Sequence, residues 1–314
     1  MSVATVFEIM LAAVVLGLGI WTIAVRETYS ATVGFVAYGL LLALIWVRLG
    51  AVDVALTEAA IGGGLGGVLL LGAAARLRDA DQMVAETPGK VTRASAAALS
   101  MLTAAALAGA VLLLPNSAST LAPTVIAHTW ATGLTNPVTN VLMAFRAMDT
   151  LLEKVVLLLA IVGVWSLAPD NTWGGHQGPR HRADPDGILV FLARLLPPLG
   201  IVVGIYLLWT GANHPGGAFQ GGAVLASMWL LAIMAGLTDT PPVSSRRLRL
   251  ILVVGPGLFL VVGLGGLWLG AAFLAYPPAL AKPLIVGIEI AMIVTIAATL
   301  GLLLAGVPER SAKR

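Results

Sequence analysis

The sequence predicts an all-α, polytopic membrane protein with about nine transmembrane helices. Three observations carry that expectation. Of the 314 residues 59% are hydrophobic and only 11% are charged, and the mean hydropathy of +0.97 is foreign to a soluble domain. Apolar runs long enough to cross a bilayer recur along the chain. Basic residues cluster in the short loops between those runs.

The runs follow in order. Val3–Val25 is the first; it lacks the basic start and small-residue cleavage site of a signal peptide and reads as a helix. Thr32–Val47 and Val52–Leu77 come next, then a charged loop over Arg76–Arg93. Ala94–Leu114 is the fourth span, stopped by Pro115. The polar stretch Asn116–Thr135 has room for a short interfacial helix around Ala122–Trp130, and Asn136–Leu167 forms the fifth span. The stretch APDNTWGGHQGPRHRADPD, dense in Gly, Pro and charge, reads as a boundary. Beyond it lie Gly187–Thr210, a break at Gly211–Gly222, Ala223–Leu237, Leu248–Tyr276 and Ala279–Gly306. Arg26, the Arg76–Arg93 loop, Arg180, Arg182, Arg246–Arg249 and the tail Arg310–Arg314 fall on one side of such a bundle, with Arg48 and Lys282 opposite. That bias places the N-terminus outside and the C-terminus in the cytoplasm.

Composition excludes much. With no cysteine there is no disulfide framework, thiolate-held iron–sulfur cluster or Cys-based zinc site. His128, His176, His181 and His214 are scattered and read as solvated side chains rather than metal ligands. No cofactor is expected. The net charge of +3 is spread over loops, which does not point to nucleic acid.

The fifth span is the unusual one. It carries Arg146, Asp149, Glu153 and Lys154. Each such charge costs about 2.5–3.5 kcal/mol at a helix centre, more in total than the apolar residues of one helix return. The helix is therefore expected to be buried among others. At about 100° per residue Arg146, Asp149 and Glu153 share one face, with Lys154 about 100° round from Glu153. The cluster either locks helix packing or lines an ion or proton path, the usual role of intramembrane ionisable groups.

Other acids and breaks extend the pattern. Asp53 stands in the first turn of the third span, where it either caps the helix or serves the path; Glu58 is too deep to cap. Gly62, Gly63, Gly64, Gly66 and Gly67 permit close packing, the favoured reading, or a local loosening of the helix. In GANHPGGAFQGG, Asn213, His214, Pro215, Gly216, Gly217, Gln220, Gly221 and Gly222 make either a tight external hairpin or a helix break facing a protein-lined cavity. Glu289 is the lone charge of the last span, near mid-membrane.

At these residues a resemblance becomes specific. VGFVAYGLLLALIWVRLGAVDVALTEAAIGGG resembles the small D-type subunit of membrane-bound hydrogenases, with its Gly-Ala-Pro-Asp-hydrophobic-Ala-Leu-Thr-Glu run. TNVLMAFRAMDTLLEK is similar to the E-type subunit of the same hydrogenases. Both correspond to the C-terminal extension of the large A-type subunit in Mrp-type cation/proton antiporters. ARLLPPLGIVVGIYLLWTGANHPGGAFQGGAVLA resembles the B-type Mrp subunit. The three motifs stand in the family's own order, so the chain looks like a fusion: residues 1–93 as a three-helix D-like region, 94–170 as a two-helix E-like region, 171–186 as a cytoplasmic linker and 187–314 as a four-helix B-like domain. Asp53 and Glu58 match the acids of the first motif, Arg146, Asp149 and Glu153 the second, and Gly216, Gly217, Gly221 and Gly222 the third. The departures are Ala144 for the family's Asp, Leu152 for its Gly, Lys154 for an apolar residue and Ala218 for the third Gly of the break. The Asp that the B-type subunits carry in their final helix falls at Ile285, and Glu289, one turn on, is expected to take its place, unless it pairs with a partner's basic residue.

The resemblance implies a non-redox, non-enzymatic membrane component of an Mrp-type Na⁺/proton antiporter or an Mrp-derived energy-converting complex, in a prokaryotic cytoplasmic membrane. Its carboxylates would contribute to an ion path for Na⁺ or protons. Its partners would be antiporter-like and small Mrp-type or complex I-like membrane subunits of the C, E, F and G type, with lipid around them. A structural subunit joining an antiporter-like subunit to a redox or carbon-handling partner, or a self-sufficient transporter, are the alternatives; the latter would favour an inverted repeat, and none is evident.

Overall fold

A computed structural model describes residues 2–81, 89–114, 120–178, 181, 183–269 and 272–308. The middle of the charged Arg76–Arg93 loop, Arg180, Arg182 and the tail Arg310–Arg314, all used above for orientation, lie outside the described residues. The regular elements are helices: α1 (Val3–Ala24), α2 (Thr28–Arg48), α3 (Val52–Thr57), α4 (Gly66–Asp81), α5 (Lys90–Leu113), α6 (Ala122–His128), α7 (Pro137–Asn140), α8 (Ala147–Ser166), α9 (Ile188–Thr210), α10 (Ala218–Met234), α11 (Arg246–Leu269) and α12 (Ala281–Ala305). Seven spans are long and apolar enough to cross a membrane: α1, α2, α3 running on through α4, α5, α9, α11 and α12. Two further expected spans fall short of that description, α8 because it carries Asp149, Glu153 and Lys154 and α10 because it has 17 residues. The protein is thus an all-α, multi-pass membrane protein.

The core gathers round α12. Ile285, Ile288, Ile296 and Leu302 of this helix are fully enclosed, and α10, α11 and α8 pack on its different sides. A helix apolar all round is the kind that tertiary packing surrounds. Gly221 and Gly222 let α10 cross closely: a Cβ at Gly221 would meet the Gly204 carbonyl at 2.6 Å, and one at Gly222 would meet Ile296 at 2.7 Å. In α11 the Thr295 hydroxyl inserts into the ladder beside Pro256, accepting from the Gly255 amide (3.0 Å) and donating to the Ile251 carbonyl (2.7 Å).

The N-terminal region is looser. α1 lies on α2, and α2 on the α3–α4 helix, which packs in turn on α10. No described residue of α5 is buried. The glycines after Glu58 serve both readings. Residues Glu58–Leu65 wind as a wider π-helix, while Gly63 and Gly67 sit against Leu40 and Val36 of α2.

Two expectations change. Asn136–Leu167 is not one continuous helix: α7 passes through a π-helical turn, Val141–Phe145, and breaks at Arg146 (φ −128°, ψ 35°) before α8 begins. Thr150 bridges the break by donating to the Leu142 carbonyl (2.6 Å). The 171–186 stretch is also more than a solvated linker. Val243 donates to the Gly175 carbonyl (2.9 Å) and Gly178 to that of Val307 (3.0 Å). Half-buried His176 donates through Nδ1 to the Thr240 carbonyl, so it is not a free solvated side chain. Gln177, 2% exposed, lies between the Leu302 carbonyl and the Trp165 indole. Glycine and proline mark this stretch as irregular, but the helix ends beside it leave backbone groups that need partners, and it supplies them.

Candidate ion-path site

The site begins at the break between α9 and α10. Gly216 (φ 144°) and Gly217 (φ 135°) hold a backbone shape open to glycine, and a Cβ at Gly216 would strike the Leu207 carbonyl. This bends the chain back so that the Gly217 amide donates to Leu207 (2.9 Å), after which α10 starts at Ala218. Both readings of the break apply, to different parts of it. Asn213, His214 and Pro215 form an exposed tip, whereas Gly211, Ala212, Gly216 and Gly217 are buried.

Long-range hydrogen bonds fasten the break. Asp53, 8% exposed, accepts from the Gly216 amide at 2.8 Å. It sits in the first turn of α3 without capping it; its partner lies 163 residues away. A buried hydrogen bond to a charged acceptor contributes roughly 1.5–3 kcal/mol. Asn136, which sequence reading missed, caps α7 through its Oδ1 and donates from Nδ2 to the Gly211 (3.1 Å) and His214 (2.9 Å) carbonyls. Thr139 donates to the same Gly211 carbonyl (2.6 Å). The Asn-Pro pair advertised a helix start, but nothing local revealed the carbonyls it holds.

Below the break lies a cavity of about 260 Å³. Its polar lining comprises Thr57, Thr139, Thr150, Glu153, Lys154, Gln220 and Glu289, with Phe219 and Met292 among the apolar walls. Glu289, 5% exposed, turns its carboxylate to the backbone of Ala218 at the N-terminal end of α10, where the helix dipole favours negative charge. Ile285 faces the closed core instead. Gln220 Nε2 lies 3.5 Å from the Thr57 hydroxyl. A second cavity, of about 310 Å³, is lined by Asp53, Asn136, His214 and Pro215. Val138 borders both cavities, and the Asp53–Gly216 bond lies between them.

The charged helix is turned otherwise than its wheel suggested. Lys154 is the buried member, 4% exposed, paired with Glu153 at 2.8 Å. Arg146 and Asp149 form their own pair (2.6 Å) with side chains 69% and 54% exposed, and Glu153 is half exposed. This chain's own helices therefore do not enclose the Arg146–Asp149–Glu153 face. Glu58 also stands apart, its carboxylate lying over Gly62 and 3.4 Å from a Cβ position on Gly39 of α2. Among the described residues no cluster of His and acidic side chains suits a metal ion of the multi-ligand kind.

Residues 188–307 match the family described as a domain related to the MnhB subunit of Na⁺/H⁺ antiporter, and residues 13–79 match MbhD, the D-type subunit of MBH. An uncharacterized protein of Methanocaldococcus jannaschii is 29% identical over 156 residues, which cover 44% of this chain and 59% of that protein. The match thus spans little more than half of that relative's length. A chain of the Mrp complex from Dietzia sp. DQ12-45-1b superposes with a TM-score of 0.72 at 24% identity, covering 97% of this chain and 35% of that one. A chain of the membrane-bound sulfane sulfur reductase, an archaeal respiratory membrane complex, gives a TM-score of 0.53 at 23% identity, covering 68% of this chain and 98% of that one. In one polypeptide the chain thus joins a region similar to MbhD and a region that matches the domain related to the MnhB subunit of Na⁺/H⁺ antiporter.

Proposed function

We propose that this module is a non-redox component of a multisubunit Mrp-type Na⁺/proton antiporter, or of an energy-converting complex derived from one, and that its carboxylates contribute to the ion path. The observation that carries this is the shared cavity. Glu289 from α12, Lys154 and Glu153 from α8, and Gln220 from α10 converge on one space, although their positions are far apart in sequence. Such groups are expensive inside a membrane and mark ion or proton routes. Asp53 stands at the wall towards the second cavity. In this reading all nine long helices cross the membrane, with the N-terminus outside, and Glu289 serves where the family's Asp is replaced by Ile285.

The neighbours are antiporter-like and small Mrp-type membrane subunits. The exposed Arg146–Asp149 pair supports that part of the reading, because lipid is a poor environment for it and a helix from a neighbouring protein a better one. The same observation favours a second reading, in which the module only joins its neighbours together. Glu289→Gln separates the two, since it keeps shape and removes ionisation. In the complex assembled with its partners and inserted in vesicles, Na⁺-driven or proton-driven pH change is expected to stop while subunit composition is unchanged. Normal transport by an assembled Glu289→Gln complex would leave the joining role alone.

A further inference from the structure

We propose that Lys154 relays protons between two carboxylates, Glu153 on the outer face of α8 and Glu289 in the core. The proposal rests on the ion-path reading above and names its ion at this cavity as the proton.

Lys154 occupies a place meant for an apolar residue. The buried stripe of α8 is Ala147, Thr150, Leu151, Lys154, Ile161 and Trp165, the three-and-four spacing of a helix face turned to the core, and Lys154 is its one charged member. An ammonium there loses its water and needs partners. It has a carboxylate on one side, Glu153 at 2.8 Å, and the ring of Phe219 at 4.9 Å. Phe219 follows Ala218, the residue to which the Glu289 carboxylate turns. The lysine thus lines the same space as Glu289. The structure pairs it with Glu153 and not with Glu289, and a flexible four-carbon stem lets a lysine change partners.

Among the described residues that line this cavity with Lys154, the charged groups come from two elements. α8 offers Glu153 and α12 offers Glu289, while α10 presents Phe219 and Gln220, α3 presents Thr57, and the π-helical turn presents Leu142 and Met143. Asp53 belongs to the other side of the break. Protons and charge balance through the transfer. Protonated Glu153 gives its proton to the Lys154 amine, leaving a carboxylate and an ammonium. The ammonium turns and gives a proton to the Glu289 carboxylate, leaving a neutral acid and an amine; Glu289 then releases that proton to water entering the cavity it lines, which restores its carboxylate for the next transfer. Glu153 is half exposed on the face that this chain leaves uncovered, so its proton arrives from outside the chain. A metal cation gains nothing from such a cycle, because in half of it the ammonium already sits between the carboxylates.

Arginine provides the test, because its guanidinium keeps the charge and the pair with Glu153 but does not deprotonate in proteins. In the assembled complex in vesicles, Lys154→Arg is expected to lower proton transport on the order of 100-fold, the scale of a lost proton-transfer group, with subunit composition unchanged. Wild-type transport by Lys154→Arg would overturn the relay and leave Lys154 a packing charge. If the larger side chain prevents assembly, Lys154→Gln takes its place: assembled and inactive supports the relay, assembled and active overturns it. Glu289→Gln is measured alongside. If it too transports normally, the whole ion-path reading falls; if it stops transport while Lys154→Arg does not, only the relay falls.

Discussion

The two ends of this chain solve the same problem in opposite ways. In the MnhB-related region α12 is enclosed by α10, α11 and α8, and glycines bring the backbones together. In the MbhD region α1 has two buried residues, Leu11 and Val15, and the following α5 has none among those described. Both regions are rich in long apolar helices, so hydropathy does not separate them. What separates them is where small residues sit. Gly221 meets both α9 and α12 and Gly222 meets α12, whereas Gly34, Gly39, Gly63 and Gly67 join only α1 to α2 and α2 to the α3–α4 helix, and Gly17, Gly72 and Gly109 face open space. In lipid, association of helices rests on close packing rather than on the hydrophobic effect; the glycines of α2 and the α3–α4 helix pack helices in pairs, whereas those of α10 let one helix join two others.

Substitution at those glycines is the severest test of this contrast. Gly222→Leu is expected to cost at the upper end of the about 1–3 kcal/mol typical of overpacking, seen as loss of monodisperse protein in detergent and a lower melting temperature. Gly109→Leu is expected to change neither in the isolated chain. A Gly109→Leu variant that behaves normally alone but fails to join the complex would show α5 to be covered by a partner protein. Equal damage from both variants in the isolated chain would remove the distinction between the regions.

The joint between the regions comes next in size. Asp53→Ala is expected to destabilise the chain by about 2 kcal/mol, within the range for a buried hydrogen bond to a charged acceptor. Asp53→Asn keeps an acceptor for the Gly216 amide and is expected to lose less than half as much, yet to stop transport if the charge serves the path. Thermal stability and vesicle transport measured on the same preparations read the two effects separately. Equal melting temperatures for Asp53→Ala and wild type would mean that this bond does not hold the regions together.

Topology involves the smallest perturbation, since exposed single substitutions usually stay within about 0.5 kcal/mol. Cysteines at Val91 and Asn171 are expected to react with an impermeant thiol reagent from the cytoplasmic side, and one at Leu121 from the other. All three positions are exposed, unlike Gln177. Labelling of all three from one side would break the nine-span arrangement and, with it, the depth assigned to Glu289.

Much of this protein follows from local sequence. Runs of apolar residues long enough to span a bilayer decide an all-α membrane protein, because a lipid-facing backbone must satisfy its own hydrogen bonds within helices. GANHPGGAFQGG announces a break, since Pro and clustered Gly act on their own neighbours. The VDVALTE and FRAMDTLLEK motifs, with the break, are enough to resemble an Mrp-type module. Other features depend on partners distant in the chain, and local patterns carry no sign of those. The helical wheel put Arg146, Asp149 and Glu153 on one face, but which face turns inward was decided when α8 met α11 and α12, leaving Lys154 inside. Asp53 looked equally like a cap until the Gly216 amide stood 2.8 Å from it. Residues 171–186 read as a solvated linker because glycine and proline forbid regular structure, yet the open backbone groups of Val243 and Val307 gave them a place in the fold. Period and composition determine what a helix is; the contacts it makes in three dimensions determine which of its charges are buried and which groups share a cavity.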